Sequence, residues 1–135
     1  HADLDLADFA PPAGTELSET VPTGAQWELL SLWINMTASA SAATRRVKLN
    51  IVVNGIRIAE ILLPVDHTAS QRWFYTVSAG LVALSDAAFF RALAPLPGLL
   101  VMPGGSTWST ETNNLQAGDA WDTPRFLVHE KLEAA

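Results

Sequence analysis

The sequence predicts an all-β domain: an antiparallel β-sandwich of jelly-roll or Greek-key type, with one short helix in a connection and an extended N-terminal arm. Three observations predict it. Val47, Leu49, Ile51 and Val53 alternate with Arg46, Lys48 and Asn50, which is the period-two pattern of a strand with one face in a core and the other in water. Asn54-Gly55 follows at once, and a two-residue type I′ hairpin turn needs positive φ at both central positions, which these two residues tolerate. Short apolar or aromatic runs then recur along the chain, with Gly, Pro, Asn and Ser between nearly all of them.

The elements follow in order. Residues 1–20 carry Asp3, Asp5, Asp8, Glu16 and Glu19 with no lysine or arginine, and Pro11-Pro12-Ala13-Gly14 breaks any regular element there. This segment reads as an acidic arm, and residues 21–135 as the sandwich. In the arm, burying Leu4, Leu6 and Phe9 would yield about 1.5–3 kcal/mol each, whereas fixing ten residues of backbone costs about 1–2 kcal/mol per residue. The arm therefore orders only against a second surface, which makes Leu4, Leu6 and Phe9 candidate assembly contacts. Residues 27–37 read as a mostly buried strand, with Trp27 and Trp33 in the core, and small residues at 38–43 lead to the alternating strand at 45–53. Residues 56–63 return from the hairpin. Further strands are expected at 71–78, with Trp73 in the core, and at 98–102, 106–112 and 125–131. Residues 85–93 are the exception: Ser85 can cap, Phe89 and Leu93 stand at i and i+4, and Pro95 and Pro97 stop extension, so a short helix is expected.

Composition excludes several classes of function. The 135 residues suit one domain, with 49% apolar and 16% charged residues and no run of about 20 apolar residues that could cross a membrane as a helix. There is no cysteine, hence no disulfide, thiolate metal site or cysteine nucleophile. Of the net charge of −6, the arm supplies five units; the remaining nine acids face eight bases, so the body lacks the basic surplus that nucleic-acid binding requires.

No motif carries catalysis. Residues 113–124 hold Asp119, Asp122, Trp121 and Gly118, which suits either a polar connection between strands or, less well, a calcium loop with Glu111; the dense acids and fixed glycine of such a loop are missing. Asp66-His67-Thr68-Ala69-Ser70 contains triad residue types, but consecutive residues do not form a relay and no nucleophile-elbow glycine pattern accompanies Ser70. His1, His67 and His129 are scattered and make no metal signature. Neither catalytic, cofactor nor metal residues are assigned. Trp108 and Trp121, in a polar strand and a loop, are open to three readings: packing at the sandwich edge, a protein interface, or a platform for sugar rings.

With the strands placed, a wider pattern is visible. It consists of Val21-Pro22-Thr23-Gly24 before an aromatic strand, Thr44-Arg45-Arg46-Val47-Lys48-Leu49, Leu99-Leu100-Val101-Met102-Pro103-Gly104, the run from Thr112 to Asp119, and the closing Phe126-Leu127-Val128-His129-Glu130. From about Val21 to the C-terminal region the chain resembles small β-sandwich virion proteins of tailed bacteriophages, a group that includes capsid decoration (cement) proteins. The resemblance implies a non-enzymatic protein at the phage head surface that binds the major capsid protein or other virion proteins, forms a homo-oligomer with a trimer favoured, and reinforces capsomer junctions. The interface candidates are then Leu4, Leu6, Phe9, Trp108 and Trp121. Competing expectations are a carbohydrate-binding module using Trp108, Trp121, Asp119 and Asp122, and another virion part such as a head-fibre base, head–tail connector or tail subunit. A hydrolase built on His67 ranks last.

Overall fold

The computed structural model describes residues 10–132 and, as backbone, residues 2–6. Its described residues form strands and turns without a helix: β1 (Ala2–Leu6), β2 (Ser18–Thr20), β3 (Ala25–Thr37), β4 (Arg46–Val53), β5 (Ile56–Leu62), β6 (Arg72–Ala79), β7 (Leu84–Asp86), β8 (Arg91–Leu96), β9 (Val101–Pro103), β10 (Thr107–Asn113), β11 (Ala120–Trp121) and β12 (Arg125–Leu132). One sheet runs β1-β12-β3-β6-β8-β7, with β9 and β11 also on β3; the other runs β2-β10-β4-β5. Inward residues of both sheets make one core, including Trp27, Leu32 and Tyr75 from the first and Leu49, Ile51 and Trp108 from the second. The hairpin is as expected: Asn54 and Gly55 take φ of 52° and 77° between paired β4 and β5.

Three expectations are corrected. Residues 85–93 are not a helix. β7 and β8 form an antiparallel hairpin whose turn is closed by Asp86 Oδ1, which accepts the Ala88 amide at 2.9 Å. A helical turn would leave Phe89 and Leu93 stacked with no core beneath them, whereas strand pairing of β8 buries Ala92, Ala94 and Leu96. Second, the larger sheet is mixed, because β8 slots between β6 and β7 and runs parallel to β6. Third, Trp33 faces outward. β12 pairs Leu127 with Ser31 but Val128 with Leu29, leaving Leu30 as an extra residue in β3. That bulge reverses the alternation, so Trp27 and Leu29 point inward before it and Leu32, Ile34 and Met36 after it. The Ser78 hydroxyl donates to the Leu30 carbonyl at 3.1 Å and occupies the interrupted position.

Residues 14–20 are knitted into the body. Leu17 is buried, β2 pairs with β10, and the Gly14 amide donates to the Asp119 carbonyl at 2.7 Å. β1 pairs in turn with the outer edge of β12, Leu6 opposite Arg125.

Candidate functional site

The polar loop at 113–124 is organised around one buried ion pair. Arg45 and Asp119 are both fully buried and meet in a fork, Nε to Oδ2 at 2.9 Å and Nη2 to Oδ1 at 3.0 Å. Asp119 also accepts the amides of Ser39 and Gln116, both at 2.8 Å, while Arg45 donates to the carbonyls of Ala43 and Ser41. Burial by itself would raise the Asp119 pKa, but the Arg45 hydrogen bonds and the two amides outweigh it and hold the carboxyl below its usual 3.8. The fork ties the 38–45 connection to the 113–119 loop. No oxygen of Asp119 is turned toward solvent, so it is unsuited to bind a metal or to exchange a proton with substrate.

His67 is likewise a structural residue. Arg45 and His67 exchange backbone hydrogen bonds, which seats the imidazole under the fork. Nε2 lies 2.7 Å from the Gln71 carbonyl, which can only accept, so Nε2 carries the proton and Nδ1 accepts the Tyr75 hydroxyl at 2.9 Å. Burial, reinforced by nearby Arg45, lowers the His67 pKa below 6.5, with the Gln71 carbonyl opposing. Burial likewise pushes the Tyr75 phenol up. Asp66 is paired with Arg46 on the surface at 2.6 Å, and Ser70 donates its amide to Ser39, so the triad residue types of 66–70 point to different partners.

Trp108 and Trp121 are core residues, which corrects their reading as an interface or sugar platform. Trp108 packs edge-on against Phe126 with ring centroids 5.6 Å apart, and Trp121 lies 6.1 Å from Tyr75. The alternation of β10, Trp108, Thr110 and Thr112 inward, puts the indole between the sheets. Half-buried Glu16 satisfies the polar groups beside it: its carboxylate accepts the hydroxyls of Thr110 at 3.0 Å and Thr112 at 2.8 Å, the Thr112 amide, and the Trp121 indole N–H at 3.3 Å. The side chains of Leu4 and Leu6, and the whole of Phe9, lie outside the described residues. Among the described residues, no cluster of three or more His, Asp or Glu is placed to hold a metal.

What the sandwich leaves exposed is an apolar edge and an arginine groove. β5 and β7 are the outermost strands of their sheets, and β5 approaches β8, so both edges lie on one side of the molecule. That side shows Ile56, Ile58 and Leu62 from β5 with Val82, Leu84 and Phe89 from around β7, each 52–78% exposed. Ile58 is itself the extra residue of a bulge opposite Ile51 and Val52, which interrupts the ladder at that edge. On the outer face of the larger sheet, Trp33, Phe74, Arg72, Arg91, Arg125 and Asp122 line a groove of about 490 Å³. Sequence reasoning missed this groove, although the outward series Arg72, Phe74 on β6, alternating with buried Trp73 and Tyr75, was available as a signal.

No protein-family model matches the chain, and no curated protein does. Among solved structures it is similar to that of infectious bursal disease virus Gx strain, at 10% identity and a TM-score of 0.43 over 98% of this chain and 32% of that one. A mutant VP2 protein of infectious bursal disease virus in derived T=1 particles gives 6% identity and a TM-score of 0.45 over 94% and 31%. Dimeric latent PorU from Porphyromonas gingivalis gives 13% identity and a TM-score of 0.44 over 98% and 12%. The chain thus spans about a third or less of each of these proteins, and likenesses this distant carry no inference about its role.

Proposed function

We propose that this chain is a non-enzymatic structural protein of a phage particle, a decoration (cement) protein that binds the assembled head and reinforces capsomer junctions. The apolar edge is the observation that carries the reading, joined to the sequence resemblance. Six large apolar side chains stand 52–78% exposed along two neighbouring sheet edges of a 135-residue domain, and exposed apolar surface of this kind marks a protein contact. Of the ionisable groups that the hydrolase reading would need, His67 is committed to internal hydrogen bonds and Asp66 to a surface pair with Arg46. Covering the six side chains is worth roughly 1 kcal/mol apiece, while association costs about 4–15 kcal/mol. A single edge therefore pairs weakly, and repetition on a symmetric lattice supplies the missing affinity.

The test is light scattering of the purified chain, for the expected trimer, with cosedimentation on heads assembled from the capsid protein of the same genome. Phe89→Asp and Leu84→Asp should fold normally and lose head binding. Removing residues 1–12 should leave the body folded and weaken attachment. An intact chain that stays monomeric and leaves heads bare would sink the proposal, as would edge variants that bind undiminished.

A further inference from the structure

The groove on the outer face of the larger sheet has no part in that assembly role, and its chemistry is unbalanced. Three guanidinium groups, Arg72, Arg91 and Arg125, line it with a single carboxylate, Asp122, in a protein of net charge −6. The contrast with the concavity of about 420 Å³ on the other sheet is instructive. There the two bases of the lining, Arg46 and Lys48, equal its two acids, and Lys48 pairs with Glu60 at 2.9 Å and Glu111 at 3.4 Å.

In the groove, much donor capacity is uncommitted. Arg72 directs Nε to Asn35 Oδ1 at 3.1 Å and Nη2 to Asp122 at 2.9 Å, leaving Nη1. Arg91 makes one contact of 3.3 Å with the Phe89 carbonyl. Arg125 has no carboxylate partner among the described residues. Two of these cations are held in place before any ligand arrives. The Cζ atoms of Arg91 and Arg72 lie 3.9 and 4.9 Å from the centre of the Phe74 ring, which offsets their mutual repulsion and reduces the ordering that binding would require. Across the β3–β12 pair, Arg125 stands directly opposite Trp33, whose indole the Leu30 bulge has turned outward and left 39% exposed.

We infer that this groove binds a saccharide bearing a carboxylate, with Arg125, which has no carboxylate partner among the described residues, taking the carboxylate and the Trp33 indole opposite it taking the apolar face of the sugar ring. A guanidinium matches a planar carboxylate with two parallel hydrogen bonds. The groove volume lies within the range of small-ligand sites, about 300–1,000 Å³. A long polyanion such as nucleic acid is disfavoured by the chain's overall negative charge and by a footprint of only three cations. An acidic peptide would satisfy the arginines but leave the indole unused.

The experiment is a calorimetric titration of the full chain, at low and at physiological salt, with oligosaccharides ending in glucuronate or N-acetylneuraminate, their neutral counterparts, and a hexa-glutamate peptide. The acidic sugars should bind at both salt concentrations, and the neutral ones about tenfold or more weaker. Arg125→Ala, Arg125→Lys and Trp33→Ala should each weaken binding about tenfold while lowering the thermal midpoint by no more than about 4 °C, and His129→Ala, outside the groove, should leave binding unchanged. Failure of the acidic sugars to bind overturns the inference, as does binding that disappears at physiological salt. Equal binding of hexa-glutamate that Trp33→Ala does not touch would reassign the groove to acidic peptides.

Discussion

Replacing Asp119 by alanine tests whether the acidic loop is structural. The substitution removes four acceptor contacts: the amides of Ser39 and Gln116 and two nitrogens of Arg45. It also strands a guanidinium that is fully buried. Breaking a buried pair on one side costs about 3–5 kcal/mol, because the surviving charge has neither partner nor water. Unfolding entropy of about 2.1 cal/mol/K per residue amounts to roughly 0.28 kcal/mol/K for this chain, so the expected fall in Tm is about 10–18 °C. The five tryptophans give a fluorescence readout of thermal or urea unfolding. The double variant Arg45→Met, Asp119→Leu should recover a large part of the loss, since the uncompensated charge is gone. Asp66→Asn, at an exposed pair with Arg46, should cost less than about 1 kcal/mol. A loss below about 1 kcal/mol for Asp119→Ala, or a double variant worse than both singles, would refute the reasoning.

Other outcomes follow from the same packing. Because His67 titrates below its ordinary 6.5 when folded, the unfolded chain binds the extra proton first. Its contribution to stability is then complete above about pH 6.5 and falls as pH drops toward the folded value. His67→Gln should flatten that slope in urea titrations run from pH 7.5 to 5. Asp119 is also depressed in the folded state, so a second loss should begin only below about pH 3.8, and Asp119→Asn should remove it. Trp108→Ala should cost about 3–5 kcal/mol, against less than about 1 kcal/mol for the outward Trp33→Ala; equal costs would contradict the bulge in β3. Gly55→Ala should lose about 1 kcal/mol through the left-handed φ alone, since no atom lies within 4 Å of an added Cβ.

Much of the sandwich is legible in the sequence because its signals are local. The β4–β5 hairpin is written in the alternation from Val47 and in Asn54-Gly55, and both depend on neighbouring residues only. What escapes is decided by distant partners. The outward turn of Trp33 depends on how Leu127 and Val128 pair with β3, about a hundred residues away. The strand at 91–96 is stabilised by parallel pairing with β6, which outweighs the i and i+4 spacing of Phe89 and Leu93. Trp108 is buried in a polar segment because the threonines that face inward with it, Thr110 and Thr112, have their hydroxyls satisfied by the Glu16 carboxylate. Asp119 and Asp122 look alike in sequence, yet one lies in the core on Arg45 and the other on the surface on Arg72. The arginine groove gathers residues from β3, β6, β8 and β12, so no contiguous stretch announces it.

The nested pairing of early strands with late ones also governs how the molecule can be made. β2 needs β10, and β3 needs β12 on one flank and β6 on the other. On the ribosome, the hairpin of β4 and β5 can close as soon as it emerges, but Trp27 and Leu29 must wait for about a hundred further residues before their flank is covered. The last long strand thus acts as a latch: a nascent chain stalled before residue 125 can pair β3 with β6 and β9 on one flank but leaves the other flank, from Ala25 to Trp33, open.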